Sequence, residues 1–373
     1  MALYQVTNSI VSNVLDSLVP LSMFTTNSVS VVGDNTHGQL GVTNGNSLSS
    51  VPDIIDAAQV SCGSTHTAIL KTNGTVLVSG SNQSGGLGLG PNAIATTFQP
   101  VLNVANIKNI TCGYAQTFAV TTDGDLLACG SNANRTLGFS DSANYNYFQP
   151  VPSISNVSQI SANSTHAIAL LADGTIMACG SNELHQLGLT TSATSFTAVP
   201  GVTGIKQVVC GESHTVLLTT AGTILVAGDN TYGQLGITGA NAQVFQQVPG
   251  ISNIKQIACG DRHTVLLSNS GMIHVCGSNN QGQLGLRAPF TSTFNTFQTN
   301  TLVANIKQIA CGANFTSVVL ANGTALACGD TRWKQLGTDP TTTRSVFNII
   351  LNATNVKKIS CGFNFQAILI QTV

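Results

Sequence analysis

Short apolar runs separated by polar turns cover nearly the whole chain. Runs such as Ile205–Cys210, His214–Thr219 and Thr223–Ala227 are five or six residues long and rich in Val, Ile and Leu. That length and that β-branched content predict strands rather than helices. The runs recur as a unit. A glycine ends one run per unit, at Gly33, Gly80, Gly130, Gly180, Gly228, Gly277 and Gly329, with spacings of 47 to 52 residues. A Leu-Gly pair follows each, at Leu40-Gly41, Leu87-Gly88, Leu137-Gly138, Leu187-Gly188, Leu235-Gly236, Leu284-Gly285 and Leu336-Gly337. Cys-Gly marks six units, at 62, 112, 210, 259, 311 and 361, and Ala162-Asn163 replaces it in one. A repeat of this period falls in the range of propeller blades.

Within a unit, the second and third runs are joined by Asn73-Gly74, Asp123-Gly124, Asp173-Gly174, Ala221-Gly222, Ser270-Gly271 or Asn322-Gly323. Asn-Gly and Asp-Gly suit a type I′ hairpin turn, so these pairs predict tight antiparallel hairpins. Only six hairpins accompany seven markers. The last unit stops after Ala367–Ile370, and Val29–Gly33 at the other end matches a third strand with no first two. Two half-units that complement each other imply circular closure, with the N-terminal strand completing the sheet begun by the C-terminal strands. The expected fold is therefore all-β, a seven-bladed propeller of antiparallel blades. Residues 28–373 form its single domain, and residues 1–27 are an N-terminal arm or degenerate extra strands.

Composition narrows the function. Charged residues are 7% of the chain, against about 25% in an ordinary soluble domain. Net charge is −1 and apolar residues are 42%, which argues against disorder and against a generally basic nucleic-acid binder. No apolar run reaches the length of a membrane helix. Residues 1–70 hold no Lys or Arg, so no classical secretory signal is expected and synthesis is assigned to the cytoplasm. Weak net repulsion favours association between copies.

The segments Asp229-Asn230-Thr231-Tyr232-Gly233-Gln234-Leu235-Gly236 and Ile254-Lys255-Gln256-Ile257-Ala258-Cys259-Gly260-Asp261-Arg262-His263-Thr264 resemble the regulator of chromosome condensation repeat. The resemblance covers about residues 28–373. It implies a seven-bladed propeller closed by its two termini and protein binding through loops on the propeller faces. Members include an exchange factor for the small GTPase Ran, ubiquitin-ligase adaptors and a β-lactamase inhibitor. One departure is the Trp that commonly precedes the third-strand Gly. Val, Ser, Cys or Ala stands there, and the single Trp is Trp333, in a loop.

The candidate chemistry is sparse. His66, His166, His214 and His263 share one repeat position, filled elsewhere by Gln116, Phe315 and Phe365. Blades hold such positions too far apart for one metal ion, so these residues are expected to be structural and hydrogen-bonded within the blade. The ten cysteines are periodic, without Cys-x-x-Cys, and are expected to be buried free thiols. Asp34, Asp229 and Asp330, and the Asn that usually follows that position, are expected to hold turns. Lys108, Lys206, Lys255, Lys307 and Lys357, with Lys358 adjoining, stand just before the first strand and form a partial ring on one side. Such a ring offers contact with a polyanion or with acidic loops of a partner. Aromatic hot-spot candidates in loops are Tyr145, Tyr147 and Phe148, then Tyr232, then Phe290, Phe294 and Phe297, and Trp333. No catalytic residues, metal site or cofactor are assigned.

The expected function is a non-catalytic interaction or structural protein with protein partners that include itself. By analogy with particle-forming coats, assembly into a homomeric shell or virion is one form of it, and nucleic acid is a weaker possible partner. The alternatives are nucleotide exchange on a Ran-type GTPase and a propeller-face inhibitor or adaptor.

Overall fold

A computed structural model describes residues 26–91, 93–287, 292–338 and 344–372. Seven four-stranded antiparallel sheets stand in a ring. Blades I to VI are contiguous in sequence, at residues 57–100, 107–150, 157–198, 205–247, 254–300 and 306–349. Blade VII is shared. Its inner strands are Val356–Cys361 and Phe365–Thr372, and its outer strands are Thr26–Gly33 and Ser49–Ser50. Thr26–Gly33 pairs along its full length with Phe365–Thr372, with Val29 opposite Leu369 and Val31 opposite Ala367. The closure expected from the half-units is the observed one.

Each blade has a fourth, outer strand that the apolar pattern did not disclose. In blade I it is Ala95–Pro100, four of whose six residues face solvent. Its inward residue, Phe98, explains the Leu-Gly marker. Gly41, Gly88, Gly138, Gly188, Gly236 and Gly285 lie at φ between +64° and +82°, and a Cβ on each would meet the ring of Phe98, Phe148, Phe196, Phe245, Phe297 or Phe347. Six of the seven Leu-Gly loops thus dock on an aromatic ring of the following blade, and Gly337 meets Ile350 and Val32 instead. The third-strand glycines, such as Gly80 at φ +115°, leave room for the backbone of the second strand, where a Cβ would collide with Thr65 and His66.

The hairpins differ from type I′. Only the glycine of each pair has positive φ, and the amide of Gly74 donates to the Lys71 carbonyl at 3.0 Å while Lys71 donates to Thr75 at 2.9 Å. This is a type I turn closed by a glycine bulge. The Asn or Asp beside the glycine accepts from the next amide, as Asn73 does from Thr75 and Asp173 from Thr175. Six of the loop asparagines act as expected: Asn35, Asn82, Asn132, Asn182, Asn230 and Asn279 each accept from the amide of the marker leucine at 2.9–3.1 Å. Asp34, Asp229 and Asp330 likewise accept from the amide two residues on.

The disc has two unlike faces. The short hairpins and the starts of the inner strands lie on one, the hairpin face. The Cys-Gly turns and Leu-Gly loops lie on the other, the loop face. The inner strands surround an axial channel of about 120 Å³, lined by Cys62, Cys112, Cys210, Cys259, Cys311 and Cys361. All ten cysteines are free thiols, and burial raises the pKa of each inner one, to about 12 in Cys112, Cys210 and Cys361.

Polar side chains stitch blade to blade. Gln59, Gln159, Gln207, Gln256 and Gln308 each donate to a carbonyl and accept from the same residue's amide on the next inner strand, at Ile110, Val208, Ile257, Ile309 and Ile359. The histidines also bridge blades, and only His166 bonds within its own blade as expected, through Nδ1 to Thr165 Oγ1 at 3.3 Å. Nε2 of His66, His166, His214 and His263 lies 2.9–3.1 Å from Oγ1 of Thr117, Thr215, Thr264 and Thr316 of the following blade. Each of those hydroxyls donates to a loop carbonyl, so it accepts from Nε2–H. Burial pushes His66 and His214 down to about 4, and His166 and His263 down to about 3.

Candidate functional site

The loop face around the channel mouth carries the densest polar and aromatic cluster. Its frame is main chain. The residue after each Cys-Gly reaches the next blade: Glu212 donates to Asp261, Asp261 to Ala313, Ala313 to Phe363, Phe363 to Gly63 and Ser64 to Tyr114, at 3.0–3.3 Å. This belt of hydrogen bonds circles the mouth except beside blade III. There Asn163 stands in place of glycine, and its side chain accepts from the Ser164 amide at 2.7 Å.

On this frame sit Tyr114, Glu212, Asp261, Arg262 and Phe363, with Ser164 and Asn314, around an open cavity of about 510 Å³. Arg262 donates to Glu212 at 3.3 Å and to the Tyr232 hydroxyl at 2.9 Å, and its guanidinium lies 4.6 Å from the centre of the Tyr232 ring. The ion pair is solvent-exposed and contributes little by itself, but together with the ring it fixes the guanidinium. Burial, reinforced by the nearby Glu212 charge and opposed by Arg262, pushes Asp261 up to about 7. Tyr114 and Phe363 meet edge to face at 5.8 Å. Farther out, Trp333 is 44% exposed, and its indole N–H donates to the Asn364 side chain at 3.2 Å.

The sequence-predicted residues separate onto different surfaces. Lys108, Lys206, Lys255, Lys307 and Lys357 are the second residues of their inner strands, not the residues before them. Each falls at a register shift, as the unpaired residue of a β-bulge, which turns its side chain outward on the hairpin face. All five are exposed, as is Lys358. Lys206, Lys255, Lys307 and Lys357 occupy four consecutive blades, while Ala58 and Ser158 hold the position in blades I and III.

The aromatic predictions divide. Tyr232 and Trp333 do lie on loops of the loop face. Tyr145, Tyr147 and Phe148 do not form a loop: they belong to the outer strand Tyr145–Pro150. Phe148 is buried under Gly88, and Tyr145 stacks on Phe139 at 4.2 Å and donates to Asp141. Tyr147 is exposed on the rim. Phe294 and Phe297 are in an outer strand, packed on the core, and Phe290 lies outside the described residues. The mouth cluster itself was missed. Its signal was the residue after each Cys-Gly, which is large or charged in four of six copies, Tyr114, Glu212, Asp261 and Phe363, and small only at Ser64 and Ala313. Among the described residues, no group of three or more His, Cys, Asp or Glu is close enough to hold a metal ion, and no helix is long and apolar enough to cross a membrane.

A family model described as the regulator of chromosome condensation (RCC1) repeat matches residues 57–85, 107–135, 157–186, 205–234 and 254–283. A second model of the same description matches residues 173–218, 221–267 and 270–319. No curated protein matches the chain. Among solved structures, Prp20p from Saccharomyces cerevisiae, described with its binding to Gsp1p and histones, is 20% identical with a TM-score of 0.83, covering 93% of this chain and 92% of its own. Yeast RCC1 (Prp20) bound to Kap60 is 19% identical with a TM-score of 0.86, covering 94% and 90%. Human WBSCR16 is 17% identical with a TM-score of 0.83, covering 92% and 98%.

Proposed function

The chain belongs to the RCC1 repeat family, and from that premise we propose that it is a non-catalytic protein-interaction module that binds a partner across its loop face. One observation carries this reading. Aromatic and Arg side chains gather on the loop face: exposed Tyr114 on the main-chain belt at the channel mouth, Arg262 beside it stacked on half-buried Tyr232, and exposed Trp333 farther out. Trp, Tyr and Arg dominate the energetics of protein interfaces, above all where a scaffold holds them still. Yeast Prp20p, of the same fold, is described with two kinds of protein partner, which is consistent with such a use. Low net charge and few charged residues also favour contact between copies.

The test is capture from an extract of the native source by the immobilised chain. Proteins retained by the wild type are expected to be lost with Trp333→Ala combined with Arg262→Ala, and kept when Lys108, Lys206, Lys255, Lys307 and Lys357 are all changed to Gln. Loss with the lysine variant alone would move the partner to the other face. A nucleotide-release assay on a Ran-type GTPase separates exchange from simple binding: acceleration by the wild type would favour the exchange reading.

A further inference from the structure

The hairpin face sorts its charges by side. Asp123 and Asp125 stand at the hairpin of blade II and Asp173 at that of blade III, all exposed. The hairpins of blades IV, V and VI carry no acid, and there Lys206, Lys255 and Lys307 project, followed by Lys357 and Lys358 in blade VII. Among the described residues, no ion pair joins these lysines to an acid. The face also exposes aliphatic side chains at four blade-to-blade connections. Ile55 lies between blades VII and I, Leu102 between I and II, Leu302 between V and VI, and Leu351 between VI and VII, at 63%, 85%, 50% and 49% exposure.

We propose that this face is a self-complementary docking surface on which two copies of the chain pair about a two-fold axis. The axis lies in the face and runs through blade IV and the seam between blades VII and I. Seven even blades make the consequence simple. That axis turns blade II onto blade VI, blade III onto blade V and blade I onto blade VII of the other copy. Asp123 and Asp125 then face Lys307, and Asp173 faces Lys255. The same axis, set by the charges alone, brings Leu102 over Leu351 and Ile55 over its own copy. The acid–lysine pairs, Leu102 over Leu351 and Ile55 over Ile55 thus agree on one isologous contact, in which each pairing off the axis occurs twice, while Leu302 has no apolar counterpart. On the axis Lys206 and the exposed Asp53 each face their like, which opposes pairing, against four acid–lysine pairings off the axis; Asp56 is already paired with Lys71, and Lys108 shares blade II with two acids.

The proposal rests on the reading that copies associate, and the experiment separates the two. Sedimentation of the full chain at about 0.2 mM is expected to show a dimer that weakens at least about tenfold between about 0.05 and 0.5 M salt. Asp123→Lys, Asp125→Lys, Asp173→Lys in one variant and Lys255→Glu, Lys307→Glu, Lys357→Glu in another are each expected to be monomeric. An equimolar mixture of the two is expected to pair. Ile55→Cys is expected to crosslink to itself on mild oxidation, and Leu102→Cys to crosslink to Leu351→Cys, because the native thiols lie in the core or line the axial channel, away from the hairpin face. A strict monomer overturns both association and this face. A dimer that leaves Ile55→Cys uncrosslinked, or that survives both charge variants, overturns this face alone.

Discussion

The seam between blades V and VI and the seam between blades II and III close the same gap by different means. At V–VI, Gln256 holds Ile309 by two hydrogen bonds, His263 reaches Thr316 and the Asp261 amide reaches Ala313. At II–III all three devices are absent together. Asn109 stands where the clamping Gln would be, and Gln116 replaces the histidine and bonds Thr136 of its own blade. Ala167 replaces the receiving threonine, and Ala162-Asn163 replaces Cys-Gly. In exchange, this seam holds the most aromatic of the core clusters, with Phe118, Phe139 and Phe196 packed among Val157, Ile160, Ala167 and Ala169. One seam is directional and fixes register, and the other depends on buried area. A ring therefore does not need seven equal joints.

Acid tests the contrast most severely. Four imidazoles that bridge seams are neutral in the folded protein down to about pH 3–4, whereas in the unfolded chain they take up protons below about 6.5. The unfolded state then binds more protons, so stability falls as pH drops from about 6.5 towards 4, by about 1.4 kcal/mol per unit for each imidazole. Asp261 works in the opposite direction, since its raised pKa lets the folded state bind a proton between about 7 and 3.8, but it is one group against four. Melting midpoints are expected to fall steeply between about pH 6.5 and 4.5. Changing the four histidines to Gln, the residue already present at 116, should flatten that slope. An unchanged slope would remove the imidazoles from the account.

Phe118→Ala attacks the other seam. The ring is fully buried, so the loss is expected to be about 3–5 kcal/mol, read as a drop in denaturation midpoint, with little dependence on pH. A smaller loss than that of Gln256→Ala would reverse the ranking of the two seams. Gln256→Ala is expected to cost about 1–3 kcal/mol, because it strands a main-chain amide and carbonyl of the next inner strand. Asn109→Gln is the mildest change: one added methylene restores the clamp's reach, and a gain of about 0.5–1.5 kcal/mol is expected. No gain would mean that the apolar seam sets a spacing the clamp does not fit.

What the sequence disclosed follows from which residues carry a strong pattern. The second and third strands of each blade are almost wholly buried and the first buries its apolar residues at the first and fourth positions, so these three read as apolar runs, and the half-units at the two ends left closure as the economical answer. The outer strand hides because a segment such as Ala95–Pro100 buries little beyond Phe98. The glutamine clamps hide because Gln reads as a solvent residue, although its place before Ile or Val in five units was visible. The lysines were placed one residue early because a bulge has no signature of its own. Phe148 reads in the sequence as a surface aromatic because the slot it fills is made by Gly88 on the preceding blade.

The pairing of Thr26–Gly33 with Phe365–Thr372 also sets a timetable. As the polypeptide leaves the ribosome, six blades can form in order, each from contiguous chain. The seventh must wait, its early strands carrying unmatched edges until the last ones emerge. Until that moment, a neighbouring nascent chain can offer the same two strands, so the interval before closure is when strand exchange between molecules competes with folding.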